Sequence, residues 1–155
     1  MWSMNTVESI VEELFVGSFH HSLDPKRRLI IPSNWRAMMG ETARLYVFPH
    51  PDRKCLYLYT LAEMNRRLRQ LRESGAVDAQ DEQAVRAMTA SADALAVDAQ
   101  GRVRIKDELL AHVEVKSKVV LVGTLTRIEL WSEEHFDMAL PAVSALAETA
   151  FYGGY

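Results

Sequence analysis

An aspartate followed four residues later by an arginine, and then by a β-type apolar run, occurs twice in this chain. The first copy is Asp24-Pro-Lys-Arg-Arg28, leading into Leu29-Ile30-Ile31-Pro32. The second is Asp98-Ala-Gln-Gly101-Arg102, leading into Val103-Arg104-Ile105. The match continues downstream. Leu56-Tyr57-Leu58-Tyr59-Thr60 aligns with Ile128-Glu129-Leu130-Trp131-Ser132, and Met64 and Leu68 align with Phe136 and Leu140. Arg28 precedes Leu56 by 28 positions and Arg102 precedes Ile128 by 26, so one two-residue gap aligns the copies. A long-period repeat of this kind predicts two copies of one small β-rich unit fused in tandem.

At 155 residues the chain has room for one body, or for two halves sharing a core. No apolar run is long enough to cross a membrane. Met1 to Ser18 holds Glu8, Glu12 and Glu13 and no Lys or Arg, so a signal peptide's basic start is not expected. The single cysteine, Cys55, lies in a strand-like run. It predicts neither a disulfide framework nor a cysteine metal site, and it fits a reducing cytoplasm. The net charge of −3 hides an uneven distribution. Residues 18–44 and 45–75 each sum to +3, whereas 76–98 and 132–155 each sum to −4. The local field decides binding to phosphates, so a mildly acidic chain can still present one basic face.

The expected divisions are an extension at 1–15, a first repeat with its trailing helix at 16–75, a linker helix at 76–91, a second repeat at 92–140 and a tail at 141–155. Val7, Ile10, Val11 and Leu14 recur at helical spacing, compatible with a helix on the body or an arm on a neighbouring subunit. Val16 to Leu23 reads as a strand. Its adjacent His20 and His21 point to opposite faces and make a poor chelating pair. Asp24-Pro25 is turn chemistry, Arg28 to Ile31 is the returning strand, and Ser33 is the expected N-cap of a helix stopped by Gly40. Strands follow at Arg44 to Pro49 and Lys54 to Tyr59. Thr60-Leu-Ala-Glu63 is a capping box. It opens a helix with Leu61, Met64, Leu68 and Leu71 on one side and Arg66, Arg67, Arg69 and Arg72 on the other, either a solvated face or a phosphate-contacting one. Helices are predicted at Asp81 to Ser91 and Glu108 to His112. Strands are predicted at Ala92 to Val97, Arg102 to Lys106, Val119 to Val122 and Arg127 to Trp131, the last two joined around Gly123-Thr124. Ser132 caps a final helix, Pro141 ends or kinks it, and Phe151 to Tyr155 reads as a loose tail.

These residues resemble the MraZ family of bacterial transcriptional regulators, which are encoded with cell-division and wall-synthesis genes and built of two tandem SpoVT-AbrB-type domains. The resemblance rests on both Asp-x-x-x-Arg motifs, the strands after them and the closing Ile128-Glu-Leu-Trp131-Ser132, and spans about residues 16–140. It implies an α+β fold of two pseudo-symmetric β-α-β half-units sharing one β-barrel-like core. It further implies a cytoplasmic, nucleoid-associated, ring-like homo-oligomer. Such an oligomer recognises short G-rich promoter repeats, its own operon's included. The family's motif arginines carry over to Arg28 and Arg102, and its motif acids to Asp24 and Asp98. The second motif keeps the family's glycine as Gly101, whereas the first has Arg27 there. If that turn needs a positive φ, Arg27 is strained or the turn differs.

The residues make a physical case alongside the resemblance. Lys26, Arg27 and Arg28 stand on or beside a tight turn between two strands, and a β-ribbon can enter the major groove of double-stranded DNA. Arg28 suits guanine, and Lys26 and Arg27 suit phosphate. Asp24 orients Arg28 through a charge-assisted hydrogen bond, and Asp98 does the same for Arg102. A purely structural role, stapling the two hairpins, is the alternative for both pairs. The competing functional class is a non-catalytic AbrB-fold module for oligomerisation or protein interaction. No phosphate loop, nucleophile elbow or metal-ligand spacing is present, so no catalysis, cofactor, metal or small-molecule substrate is expected.

Overall fold

The computed structural model describes residues 14–39, 43–75, 81–139 and 145–153. The expectations for residues 1–13, Gly40, 76–80, Pro141 and the last two residues lie outside these. Among the described residues the strands are β1 (Ser18–Ser22), β2 (Arg28–Ile30), β3 (Arg44–Pro49), β4 (Cys55–Thr60), β5 (Asp93–Ala96), β6 (Arg102–Arg104), β7 (Lys118–Gly123) and β8 (Ile128–Ser132). The helices are α1 (Ser33–Arg36), α2 (Leu61–Glu73), α3 (Asp81–Ala90), α4 (Asp107–Val113), α5 (Glu133–Ala139) and α6 (Ala145–Tyr152).

The architecture is mixed α+β, with antiparallel strand pairing throughout. Six strands form one sheet in the order β1-β7-β8-β4-β3-β5, and β2 pairs with β6 in a separate two-stranded ribbon. This corrects the expected hairpins. The strand before each motif does not pair with the strand after it: β1 pairs with β7, and β5 with β3. Nor is the core enclosed by one continuous ladder, as a barrel would be. The sheet ends at β1 and β5, and the ribbon adds a second layer over its apolar face.

Side chains alternate across the sheet as the pleat requires. Leu56, Leu58, Leu121, Ile128 and Leu130 face the main core, where Leu29, Ile31, Val103 and Ile105 meet them from the ribbon side. Cys55, Val120 and Trp131 face the other way and pack under Phe136 of α5. Trp35 of α1 is fully enclosed, edge-on to Phe15 and Phe19, and its Nε1 donates to the Val16 carbonyl at 3.3 Å. Truncating a side chain so enclosed costs about 3–5 kcal/mol.

Several local expectations change. Phe15, assigned by sequence to the extension, is a core residue bridged to Leu125. Pro32, not Ser33, occupies the N-cap of α1, with no side-chain cap. The β7–β8 turn runs through Leu125 at φ 74°, while Gly123 remains in the ladder opposite Ile128. A Cβ on Gly123 would overlap the Phe15–Val16 backbone, so the glycine serves close approach rather than the turn. Phe151 and Tyr152 are exposed but helical, within α6. Thr60 caps α2 by accepting from the Glu63 N–H. The Glu63 carboxylate turns instead to Arg66 and Arg67, so the capping box is half made.

Candidate nucleic-acid interface

The two motifs fold into matching turns. Asp24 Oδ1 accepts from the N–H groups of Lys26 and Arg28 at 2.9 and 2.8 Å, and Oδ2 accepts from Arg28 Nε at 2.7 Å. Asp98 Oδ1 accepts from Gln100 and Arg102 N–H at 2.9 and 2.8 Å, and Oδ2 from Arg102 Nε at 2.8 Å. The backbone repeats the likeness. Arg27 N–H donates to the Asp24 carbonyl, and Gly101 N–H to the Asp98 carbonyl, both at 2.9 Å. Each aspartate thus closes its turn by itself, as Asx chemistry allows. The Arg28 backbone hydrogen bond is the largest influence holding the Asp24 carboxyl below the usual carboxylate range, and the Arg102 backbone does the same for Asp98.

The residue before each arginine has positive φ, 62° at Arg27 and 82° at Gly101. The turn is therefore the same with or without glycine, and Arg27 adopts the left-handed conformation that L side chains disfavour. Gly101 is buried beneath the guanidinium of Arg36, which a Cβ there would overlap. Arg27 instead projects outward, its Nε 3.7 Å from Asp107 Oδ1, an exposed pair of little energetic weight.

The ribbon brings the two motif arginines onto one surface. Its register sets Arg28 opposite Arg104, Leu29 opposite Val103, and Ile30 opposite Arg102. Leu29 and Val103 point inward and are buried, so Arg28, Ile30, Arg102 and Arg104 share the outer face. Each terminal turn is tied to the opposite strand: Ile31 N–H donates to the Gly101 carbonyl at 2.9 Å, and Ile105 N–H to the Arg27 carbonyl at 3.0 Å. Arg28 and Arg102 retain side-chain exposures of 27% and 30%. Within the Arg28 guanidinium, Asp24 engages only Nε. Arg102 is held further, its Nη2 donating to Gln100 Oε1 at 2.9 Å. Counting Lys26, Arg27, Arg28, Arg102 and Arg104 against Asp24 and Asp98, the turns and ribbon carry +3.

Sequence reasoning singled out Lys26, Arg27, Arg28, Arg102, Asp24, Asp98 and Gly101, and all of them lie in the two turns that end on this ribbon. It missed Arg104 and Arg36. The alternation Arg102-Val103-Arg104 was the available signal for Arg104. The arginines of α2 are partly engaged within their helix. Arg66 and Arg67 pair with Glu63, and Arg67 also lies over the Tyr59 ring at 4.5 Å. Hydrogen bonding from Arg66 lowers the Glu63 carboxyl's pKa. His20 meets Phe136 on one face of β1, and His21 stacks on Phe19 on the other. Burial, followed by the nearby His20, lowers the His21 pKa. Among the described residues no group of His, Cys, Asp or Glu is placed to hold a metal, and no helix is long and apolar enough to cross a membrane.

Fold and surface define a mixed α+β protein whose antiparallel sheet carries an arginine-bearing ribbon closed by two aspartate turns. Residues 88–149 match the family model described as "MraZ protein, putative antitoxin-like". The chain is 30% identical over 124 residues to the transcriptional regulator MraZ of Clostridium tetani, covering 80% of this chain and 85% of that protein. It is 31% identical over 121 residues to the MraZ regulator of Clostridium acetobutylicum, covering 78% and 83%. Against that of Ligilactobacillus salivarius it is 31% identical over 124 residues, covering 80% and 85%. The chain belongs to the MraZ family of transcriptional regulators.

Proposed function

We propose that this protein is a sequence-specific regulator that binds double-stranded promoter DNA through the β2–β6 ribbon and its two turns. The observation that carries the reading is Arg28: its Nε is held by Asp24, and its side chain, 27% exposed, lies on the outer face of the ribbon beside further arginines. An antiparallel ribbon fits the major groove, and an arginine aimed end-on at guanine O6 and N7 contributes about 1–3 kcal/mol of discrimination. Asp24 fixes the guanidinium beforehand, which lowers the ordering cost of binding. Lys26 and Arg27 hold phosphates, Arg102 makes the second base-directed contact, and Asp98 and Gly101 shape its turn.

The tandem SpoVT-AbrB reading, with repeats at 16–75 and 92–140, is supported by the strand order. Exchanging β1–β4 for β5–β8 turns β1-β7-β8-β4-β3-β5 into its own reverse and leaves the β2–β6 pair unchanged. In this reading residues 1–15, 76–91 and 141–155 are an extension, a linker helix and a tail. A single ribbon offers few contacts. A ring-like homo-oligomer would present several ribbons to consecutive G-rich boxes and gain by effective concentration. The targets would be cell-division and cell-wall genes, including its own operon, and the protein would work in the cytoplasm at the nucleoid.

Fluorescence anisotropy tests this, using a duplex from upstream of the gene, a scrambled duplex and a salt titration. Preferential promoter binding that falls about 5- to 150-fold in Arg28→Ala, the equivalent of one good arginine–guanine pair, is expected. No binding at low salt by the folded protein overturns it and favours the protein-interaction class.

A further inference from the structure

The first rung of the ribbon sets two arginines opposite each other, Arg28 and Arg104. Hydrogen bonds link residue 27 with 105 and 31 with 101 across the ribbon. In antiparallel alternation this makes 28–104 and 30–102 the non-hydrogen-bonded rungs, where Cα atoms approach to about 4.5 Å and side chains lie closest. Consistent with this, Arg28 N–H points away from β6 and donates to Asp24. Like charges directly opposite each other destabilise a ribbon. Arg28 has a carboxylate for its Nε, whereas Arg104 is exposed and has no acidic partner among the described residues. The core gains nothing from Arg104, since the buried residues of its strand end are Val103 and Ile105.

We infer that Arg104 is a DNA-backbone contact: its guanidinium binds the phosphate flanking the base edge that Arg28 reads. This rests on the DNA-binding reading above. A phosphate is the ligand that fits, because it is a full anion able to accept from Arg104 and relieve the repulsion across the rung. Arg102, opposite Ile30 and held by Asp98 and Gln100, has no such need. The sequence provides the placement: Arg102 and Arg104 alternate around Val103 and reach the same face.

The test compares wild type, Arg104→Ala and Arg104→Lys by anisotropy on promoter and scrambled duplexes across a salt series, with melting of the free proteins alongside. Arg104→Ala should weaken binding to both duplexes by a similar factor, about three- to tenfold, and reduce the slope of log K against log salt by about one. Arg104→Lys should keep the slope. Free Arg104→Ala should melt higher than wild type at low salt, with the gap closing at high salt. Unchanged affinity and slope in Arg104→Ala, or a loss confined to the promoter duplex, overturns the phosphate assignment while leaving the regulator reading intact. Failure of wild type to bind either duplex overturns both.

Discussion

The turns at Asp24–Arg28 and Asp98–Arg102 share every hydrogen bond that the aspartate makes, yet they stand in different surroundings. The second is internally satisfied: glycine takes the positive φ, Arg36 lies over it, and Gln100 takes a terminal nitrogen of Arg102. The first keeps a left-handed arginine, and Asp24 holds only Nε of the Arg28 guanidinium. Turn shape therefore comes from the aspartate. What varies between the turns is how much cationic surface is left for a ligand. Arg27 costs the first turn stability and adds a charge beside Arg28, the pattern of strain kept at a functional surface.

Giving the second turn a side chain breaks the comparison most severely. Gly101→Ala meets two penalties, the positive φ and the overlap with the Arg36 guanidinium. Together they should destabilise the protein by about 1–2 kcal/mol, a fall in Tm of roughly 2–8 °C at this chain length. The Arg36→Ala background isolates the conformational part, since the overlap is then gone. Equal losses in both backgrounds, by thermal melting, would show that Arg36 moves aside at no cost.

The reverse exchange is gentler. Arg27→Gly removes a left-handed side chain, worth roughly 1–2 kcal/mol, but glycine's larger freedom in the unfolded chain returns about 0.4–1 kcal/mol. A net gain near 0.5–1 kcal/mol, or about 1–4 °C in Tm, is expected, with negligible loss from the exposed Asp107 pair. The same variant should lower the salt slope of DNA binding by about one if Arg27 holds a phosphate. A lower Tm would mean that the Arg27 side chain stabilises the turn by contacts outweighing its backbone conformation.

Local chemistry and the β7–β8 hairpin were readable in the sequence, and the pairing of the motif strands was not. The Asp–Arg motifs, the Thr60 and Ser132 caps, and the helices at Asp81–Ala90 and Asp107–Val113 follow from residue types at short spacing. The partner of each motif strand does not. β2 and β6 are three residues each, and an Asx turn closes them locally so that both read as hairpins. Their true pairing joins residues 76 positions apart, Arg28 with Arg104, and no local signal specifies it. The outer arginine rung was hidden for the same reason, since Arg104 matters only through what lies opposite. Phe15 was misassigned because its burial depends on the distant β7–β8 turn.

The smallest expected effect separates the aspartate's two tasks. Asparagine at position 24 or 98 keeps one carbonyl oxygen, so it can still accept the two backbone N–H bonds, but it offers an N–H₂ where Oδ2 accepted from the arginine Nε. Asp24→Asn should therefore leave the fold intact and release Arg28, and Asp98→Asn should release Arg102. In the folded protein both carboxyls titrate below their ordinary range, chiefly because of the Arg28 and Arg102 backbone N–H groups. The stabilisation they give is complete above the ordinary carboxylate pKa of about 3.9 and is lost as pH falls through the lower folded values. Wild type should thus lose stability on acidification below about pH 4, and each Asn variant should lose less over the same window. Melting temperatures from pH 6 to pH 2 measure this directly. Equal flattening in both variants is expected from the matching bonds. Flattening at position 24 alone would mean that Gln100 holds Arg102 without Asp98, making the second arginine the better anchored of the two.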